Sequence, residues 1–97
     1  MATYISLIRF TQQGVETIKD SPARLDMAKQ VFKSMGASVK EFYLVTGQYD
    51  AVVIGEAPDD ETMAKLALTI GATGAIRTES FRAFTEDEYR KIIAALS

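Results

Sequence analysis

The turn Gly47-Gln48-Tyr49-Asp50 sets a phenol and a carboxylate beside a glycine, between two runs that read as β-strands. Exposed backbone donors, a phenol and a carboxylate converging on one tip suit a small ligand. A second polar set, Arg9, Tyr43, Glu56, Arg77, Glu79 and Arg82, is embedded in strand-like segments. Residues two apart on a strand share a face, so Arg77 and Glu79 could line one cavity, where a guanidinium grips a carboxylate or enolate bidentately. Both sets have plain structural alternatives. Tyr49 and Asp50 could simply fasten a hairpin, and charges on edge strands could pair with one another and discourage further strand addition.

What the chain lacks narrows the chemistry. Among its 97 residues there is no histidine and no cysteine. The usual general acid/base near neutral pH, the commonest metal ligands, thiolate nucleophiles and disulfides are therefore absent together. No metal and no cofactor are expected. The acidic runs Asp59-Asp60-Glu61 and Glu86-Asp87-Glu88 sit where helices begin, and carboxylates there favour the positive end of the helix dipole. Gly71-Ala72-Thr73-Gly74 leaves a helix and enters a strand, the reverse of the order that aims backbone donors at phosphate. Eleven basic residues are scattered among thirteen acidic ones for a net charge of −2, so no stripe for a nucleic-acid backbone is visible. No run approaches the ~20 apolar residues of a membrane span, and the start Met-Ala-Thr-Tyr-Ile has no basic leader, so a cytoplasmic location is expected.

The length fits one domain, residues 1–97. Tyr4 to Phe10 reads as a first strand, and Val15 to Lys19 as a short helical turn. Ser21 as a cap with Pro22 at the first helical position then starts a helix carrying Leu25, Ala28, Val31, Phe32 and Met35 at helical spacing, up to Gly36. Val39 to Thr46 and Tyr49 to Ala57 read as a hairpin, and the Gly47-Gln48 pair predicts a two-residue type II′ turn with positive φ at Gly47. Pro58-Asp59-Asp60 opens a helix with the stripe Met63, Leu66, Ala67 and Ile70. Ala75 to Phe84 is a fourth strand. Thr85 and Glu88 have capping-box spacing before a last helix bearing Tyr89, Ile92, Ile93 and Leu96.

This order predicts an α+β, ferredoxin-like βαββαβ domain with an antiparallel four-stranded sheet and an extra C-terminal helix. In that topology the first and third strands are central and the two main helices cover one face. Ile5 and Leu7 take one face of the first strand, with Tyr4, Ile8 and Phe10 on the other; the third strand divides Ala51 and Val53 from Val52 and Ile54. Both faces are apolar. A bare second face would be a patch of several hundred Å², more than monomers usually expose. Packing on a second copy would bury about 800 Å² per chain, a standard specific interface. The alternative is that the terminal helix folds back over the same face.

Phe42-Tyr43-Leu44-Val45-Thr46-Gly47-Gln48-Tyr49-Asp50, Glu56-Ala57-Pro58-Asp59-Asp60, Ile76-Arg77-Thr78-Glu79 and Arg82-Ala83-Phe84-Thr85 together resemble the bacterial and archaeal GYD domain family. The likeness runs over nearly the whole chain, including Asp20-Ser21-Pro22 with Arg24-Leu25. It implies a domain related to the dimeric α+β barrels, in which two sheets pack face to face. A weaker resemblance is to the effector-binding domain of leucine-responsive regulators, at Gly47, Tyr49, Asp50, Asp60 and Gly74. That resemblance implies oligomerisation with small effectors held at subunit interfaces near the hairpin. The helix-turn-helix of those regulators is not found here, which argues against direct transcriptional regulation.

Two functions are expected from these readings. One is an oligomeric small-molecule-binding module, a stand-alone sensor with Gly47, Tyr49, Asp50, Arg9, Tyr43, Arg77 and Glu79 as candidate ligand residues and a small organic anion as ligand. The other is a small cofactor-free enzyme, a monooxygenase or isomerase, working in a pocket between helices and sheet. There Arg77 or Arg9 would hold the anion, and Glu56, Glu79 or Tyr43 would move a proton.

Overall fold

The computed structural model describes residues 1–97. Its strands are β1 (Ala2–Phe10), β2 (Ser38–Leu44), β3 (Ala51–Ala57) and β4 (Ile76–Ala83), and its helices α1 (Gln12–Glu16), α2 (Ser21–Ser34), α3 (Asp60–Gly71) and α4 (Glu86–Ala94). The sheet order is β2-β3-β1-β4, with every neighbouring pair antiparallel. As the pattern requires, β1 and β3 are central.

Strand alternation sorts the side chains cleanly. Tyr4, Ser6 and Ile8 on β1 and Ala51, Val53, Gly55 and Ala57 on β3 are buried beneath α2 and α3. At the Tyr4 end, Phe32, Ala37, Ala57, Met63 and Leu66 close a tight core, with Leu66 fully buried. Gly55 is needed there, because a Cβ would stand 3.2 Å from both the Phe32 ring and the Ser38 carbonyl oxygen. The Ile8 end is thinner, with only Ile8, Ala51 and Val53 buried. The opposite face carries Thr3, Ile5, Leu7 and Arg9 of β1 and Val52, Ile54 and Glu56 of β3, and none of these is buried.

Three expectations need correction. The β2–β3 connection is not a two-residue type II′ turn: it spans residues 45–50, closed by Val45 N–H donating to the Asp50 carbonyl at 2.9 Å, and Gly47 has φ 156°, far from that turn's geometry. Long-range bonds open it, since Asp50 N–H donates to the Ile8 carbonyl (2.8 Å) and the Asp50 carboxylate accepts from Phe10 N–H (2.9 Å). Ser21 does not cap α2; it is the helix's first residue, following a 3-10 turn over Ile18–Asp20, with Asp20 at the cap position. The terminal helix does not fold back over the sheet. No residue of α4 is buried, and Tyr89, Ile92, Ile93 and Leu96 are 45 to 68% exposed. The start of α4 is held elsewhere: Arg82 has the strand parity of Tyr4, on the helix side, and pairs with Glu88 at 3.7 Å.

The predicted capping box forms, and α3 gains a cap at Asp59. The Asp59 carboxylate accepts from Thr62 N–H at 2.8 Å, and this bond holds its carboxyl below the ordinary carboxylate value. Thr85 and Glu88 make the reciprocal capping box, and the bond from Thr85 N–H keeps Glu88 likewise below its ordinary value.

Candidate functional site

Four of the sequence-predicted residues come together at the hairpin end of the uncovered face. Arg9 and Arg77 are directly opposite in the β1–β4 ladder, and Leu7 and Glu79 form the next like-facing pair. The long β2–β3 connection carries Tyr49 across to them. Its ring lies under the Arg9 guanidinium, 4.7 Å from carbon to ring centroid, a cation–π contact. Its hydroxyl donates to a Glu79 carboxylate oxygen at 3.0 Å. Leu7, Arg9, Tyr49, Arg77, Thr78 and Glu79 thus wall a small pocket of about 220 Å³.

The charges in this pocket are unbalanced. Neither arginine forms an ion pair, and Glu79 accepts instead from the Tyr49 phenol. Like charges directly across a ladder repel, and the Arg9–Arg77 pair makes this end of the face cationic. Glu79 adds an acceptor beside it.

The other named residues fall outside these walls. Asp50 is occupied by Phe10 N–H, so its carboxylate extends the sheet. Gly47 is at the exposed hairpin tip, with nothing within 4 Å of where a Cβ would stand. Tyr43 shares the face and even the cross-strand row, since Tyr43 opposes Val52, Val52 opposes Leu7 and Leu7 opposes Glu79. Three strand spacings still put it roughly 14 Å from Glu79. Glu56 lies on the same face, further from the hairpin, and meets Lys40 at 3.7 Å.

A larger cleft of about 410 Å³ opens on the other side, between α2, α3 and the sheet. None of Arg9, Tyr43, Glu56, Arg77 or Glu79 reaches it, because strand parity sends them all to the opposite face. The anion holders and proton movers named for an enzyme are therefore separated from the helix–sheet pocket in which they would work. The cleft has no acidic lining residue and one charged one, Arg24. Sequence reasoning singled out Arg24 only within the family resemblance. The available signal was a cation beside Leu25 on the apolar stripe of α2.

Tyr4 was also read only as an apolar strand residue, yet its buried hydroxyl donates to the Asp60 carboxylate at the start of α3. Burial first, and then this bond to a carboxylate, push its pKa up to about 12. It fastens β1 to α3.

Fold and site together define a ferredoxin-like α+β domain whose uncovered sheet face has a pocket lined by Arg9, Arg77 and Glu79 at its edge. The chain belongs to the GYD domain family, whose pattern it matches over residues 4–93. A Thermus thermophilus protein described as a glutamine synthetase and cystathionine beta-lyase binding protein is 32% identical over 84 residues, covering 86% of this chain and 88% of that one. The effector-binding fold of leucine-responsive regulators is shared as well. The Mycobacterium tuberculosis feast or famine regulatory protein, solved with L-methionine, superposes with TM-score 0.67 at 20% identity over 88% of this chain. A T. thermophilus structure superposes with TM-score 0.56 at 26% identity, covering 88% of this chain and 95% of that one. This chain spans about half the length of the mycobacterial regulators, 51% in both superpositions.

Proposed function

We propose that the chain is a cytoplasmic, homo-oligomeric small-molecule-binding module. Two copies close their uncovered sheet faces as a dimeric α+β barrel, and a small organic acid occupies the Arg9–Arg77 pocket at the seam. One observation carries the ligand part: two arginines face each other across β1 and β4 with no carboxylate paired to either. An anion there would remove their repulsion, and the second sheet would supply the wall that this open 220 Å³ pocket lacks. Amino acids are the first candidates, since Glu79 can take an ammonium group while an arginine takes the carboxylate, and a protein of the same fold was solved with L-methionine.

The test is a panel of amino acids and small carboxylates scored by thermal stabilisation and calorimetry. The reading expects at least one saturable ligand whose effect disappears in Arg77→Gln with the oligomer intact. A panel with no response, or a response that Arg77→Gln leaves unchanged, contradicts it.

A second reading, an adaptor that docks on enzymes, is supported by the enzyme-binding description of the T. thermophilus relative and by the exposed stripe Tyr89, Ile92, Ile93 and Leu96. The two are compatible in a sensor whose ligand controls docking. Pull-down of enzymes with and without the ligand separates them, and a chain truncated after Phe84 should lose docking but keep ligand.

A further inference from the structure

We propose that the cleft between the helices and the sheet is a second binding site, built for an apolar monocarboxylate such as a medium-chain alkyl acid. It lies on the opposite face from the Arg9–Arg77 pocket and stands independently of the function proposed for that pocket.

The cleft has the space for such a ligand. It measures about 410 Å³, within the range of small-molecule sites, and 16 of its 23 lining residues are hydrophobic. It follows from residue size: Ala28 of α2, Ala67 of α3, Ala51 of β3 and Ala75 all contribute to its walls. Small residues at these positions hold the helices over the sheet without filling the gap. Apolar walls give water few partners, so an alkyl chain is the better occupant.

Its polar groups match a single anionic head. The Ser6 and Ser80 hydroxyls bond to each other at 2.8 Å, so these two polar groups on the sheet side satisfy one another. Arg24 is the only charged residue in the walls and has no ion pair. Its guanidinium is fixed by the Thr17 carbonyl (3.1 Å), the Thr17 hydroxyl (3.0 Å) and the Gly14 carbonyl (3.4 Å), while its Nε–H makes no bond. An oriented, half-exposed cation without a counter-charge at the edge of an apolar cleft matches a single carboxylate on an apolar body. With no acidic residue in the walls, nothing repels that anion and nothing there moves a proton.

The experiment is calorimetric titration of the full chain with decanoate and with 1-decanol, alongside thermal unfolding. Saturable decanoate binding with one site per chain and a ligand-dependent rise in Tm is expected. Arg24→Gln should weaken decanoate about tenfold or more while leaving 1-decanol unchanged. Because Arg24 also tethers α1, a second variant, Ala28→Leu, fills the cleft with Arg24 intact and should abolish binding of both probes without lowering Tm. Arg77→Gln, altered on the other face, should keep the wild-type decanoate affinity. The proposal is overturned by absence of saturable decanoate binding, as when another chain already fills the cleft. It is equally overturned by binding that survives both Arg24→Gln and Ala28→Leu, or by binding that Arg77→Gln abolishes.

Discussion

The two faces of β3 are built from different sizes of residue. Beneath the helices, β3 presents Ala51, Val53, Gly55 and Ala57, all buried, and a Cβ on Gly55 would press to 3.2 Å against the Phe32 ring of α2. On the other side the same strands present Ile5, Leu7, Val52 and Ile54, flanked by Phe81 at 48% exposure. The larger hydrocarbons of β3, Val52 and Ile54, are on the face that nothing in the chain covers, whereas β1 puts Tyr4, Ile8 and Phe10 under the helices. Along β3 the small residues let this chain's own helices pack closely, and the open face keeps a set of hydrocarbons that no element of the chain covers. Its rim, with Arg9, Arg77, Glu79, Glu56 and Glu41, has the polar border of an interface.

That contrast can be broken from either side. The largest effect is expected from Leu66→Ala under the helices, where a fully buried side chain disappears. It should cost about 2–5 kcal/mol in urea unfolding, whatever the protein concentration. Ile54→Asp on the open face should act differently, weakening self-association by more than about tenfold by placing a charge in the seam, while far-UV circular dichroism shows an intact fold. If Ile54→Asp instead unfolds the isolated chain, the contrast between the two faces is broken.

Tyr4→Phe is a smaller change on the covered face and has a pH signature. The folded pKa of about 12 exceeds the ordinary value of 10, so above pH 10 the unfolded chain loses the phenolic proton first. The bond's contribution is complete below pH 10 and fades as pH rises towards 12. The variant should lose about 1 kcal/mol near neutrality and lack that part of the alkaline decline, as followed by urea titrations across this range. Smallest is Thr85→Ala, which breaks the capping box of a helix with no buried residue. It should cost about 1 kcal/mol of local helix stability, visible as lost helical ellipticity with little change in Tm. Protonating Glu88 should mimic it: its lowered pKa means the cap's contribution holds above the ordinary carboxylate range and is lost as pH falls through the folded value.

Much of this was legible in residue order. Alternation along β1 and β3 assigned every side chain to its correct face, and like parity put Arg77 and Glu79 together. The capping box of Thr85 and Glu88 is local, so sequence spacing sufficed. What could not be read was set at long range. Gly47-Gln48 has the chemistry of a tight turn, but bonds from Asp50 to residues 40 positions away draw the connection open and bring Tyr49 over Arg9. The capping box announces where α4 starts but not where it goes, and the structure adds an Arg82–Glu88 ion pair at its first turn. The cleft was hidden because alanines at helical spacing read as core, and only the splay of α2 and α3 above the sheet leaves them facing a gap.

The most direct measurement is sedimentation velocity of the unaltered chain at micromolar concentration beside Leu7→Asp, which places a charge at the centre of the uncovered face. A species of at least twice the chain mass is predicted for the former and a folded monomer for the latter. A wild-type chain that sediments as a monomer across that range would contradict the pairing of uncovered faces.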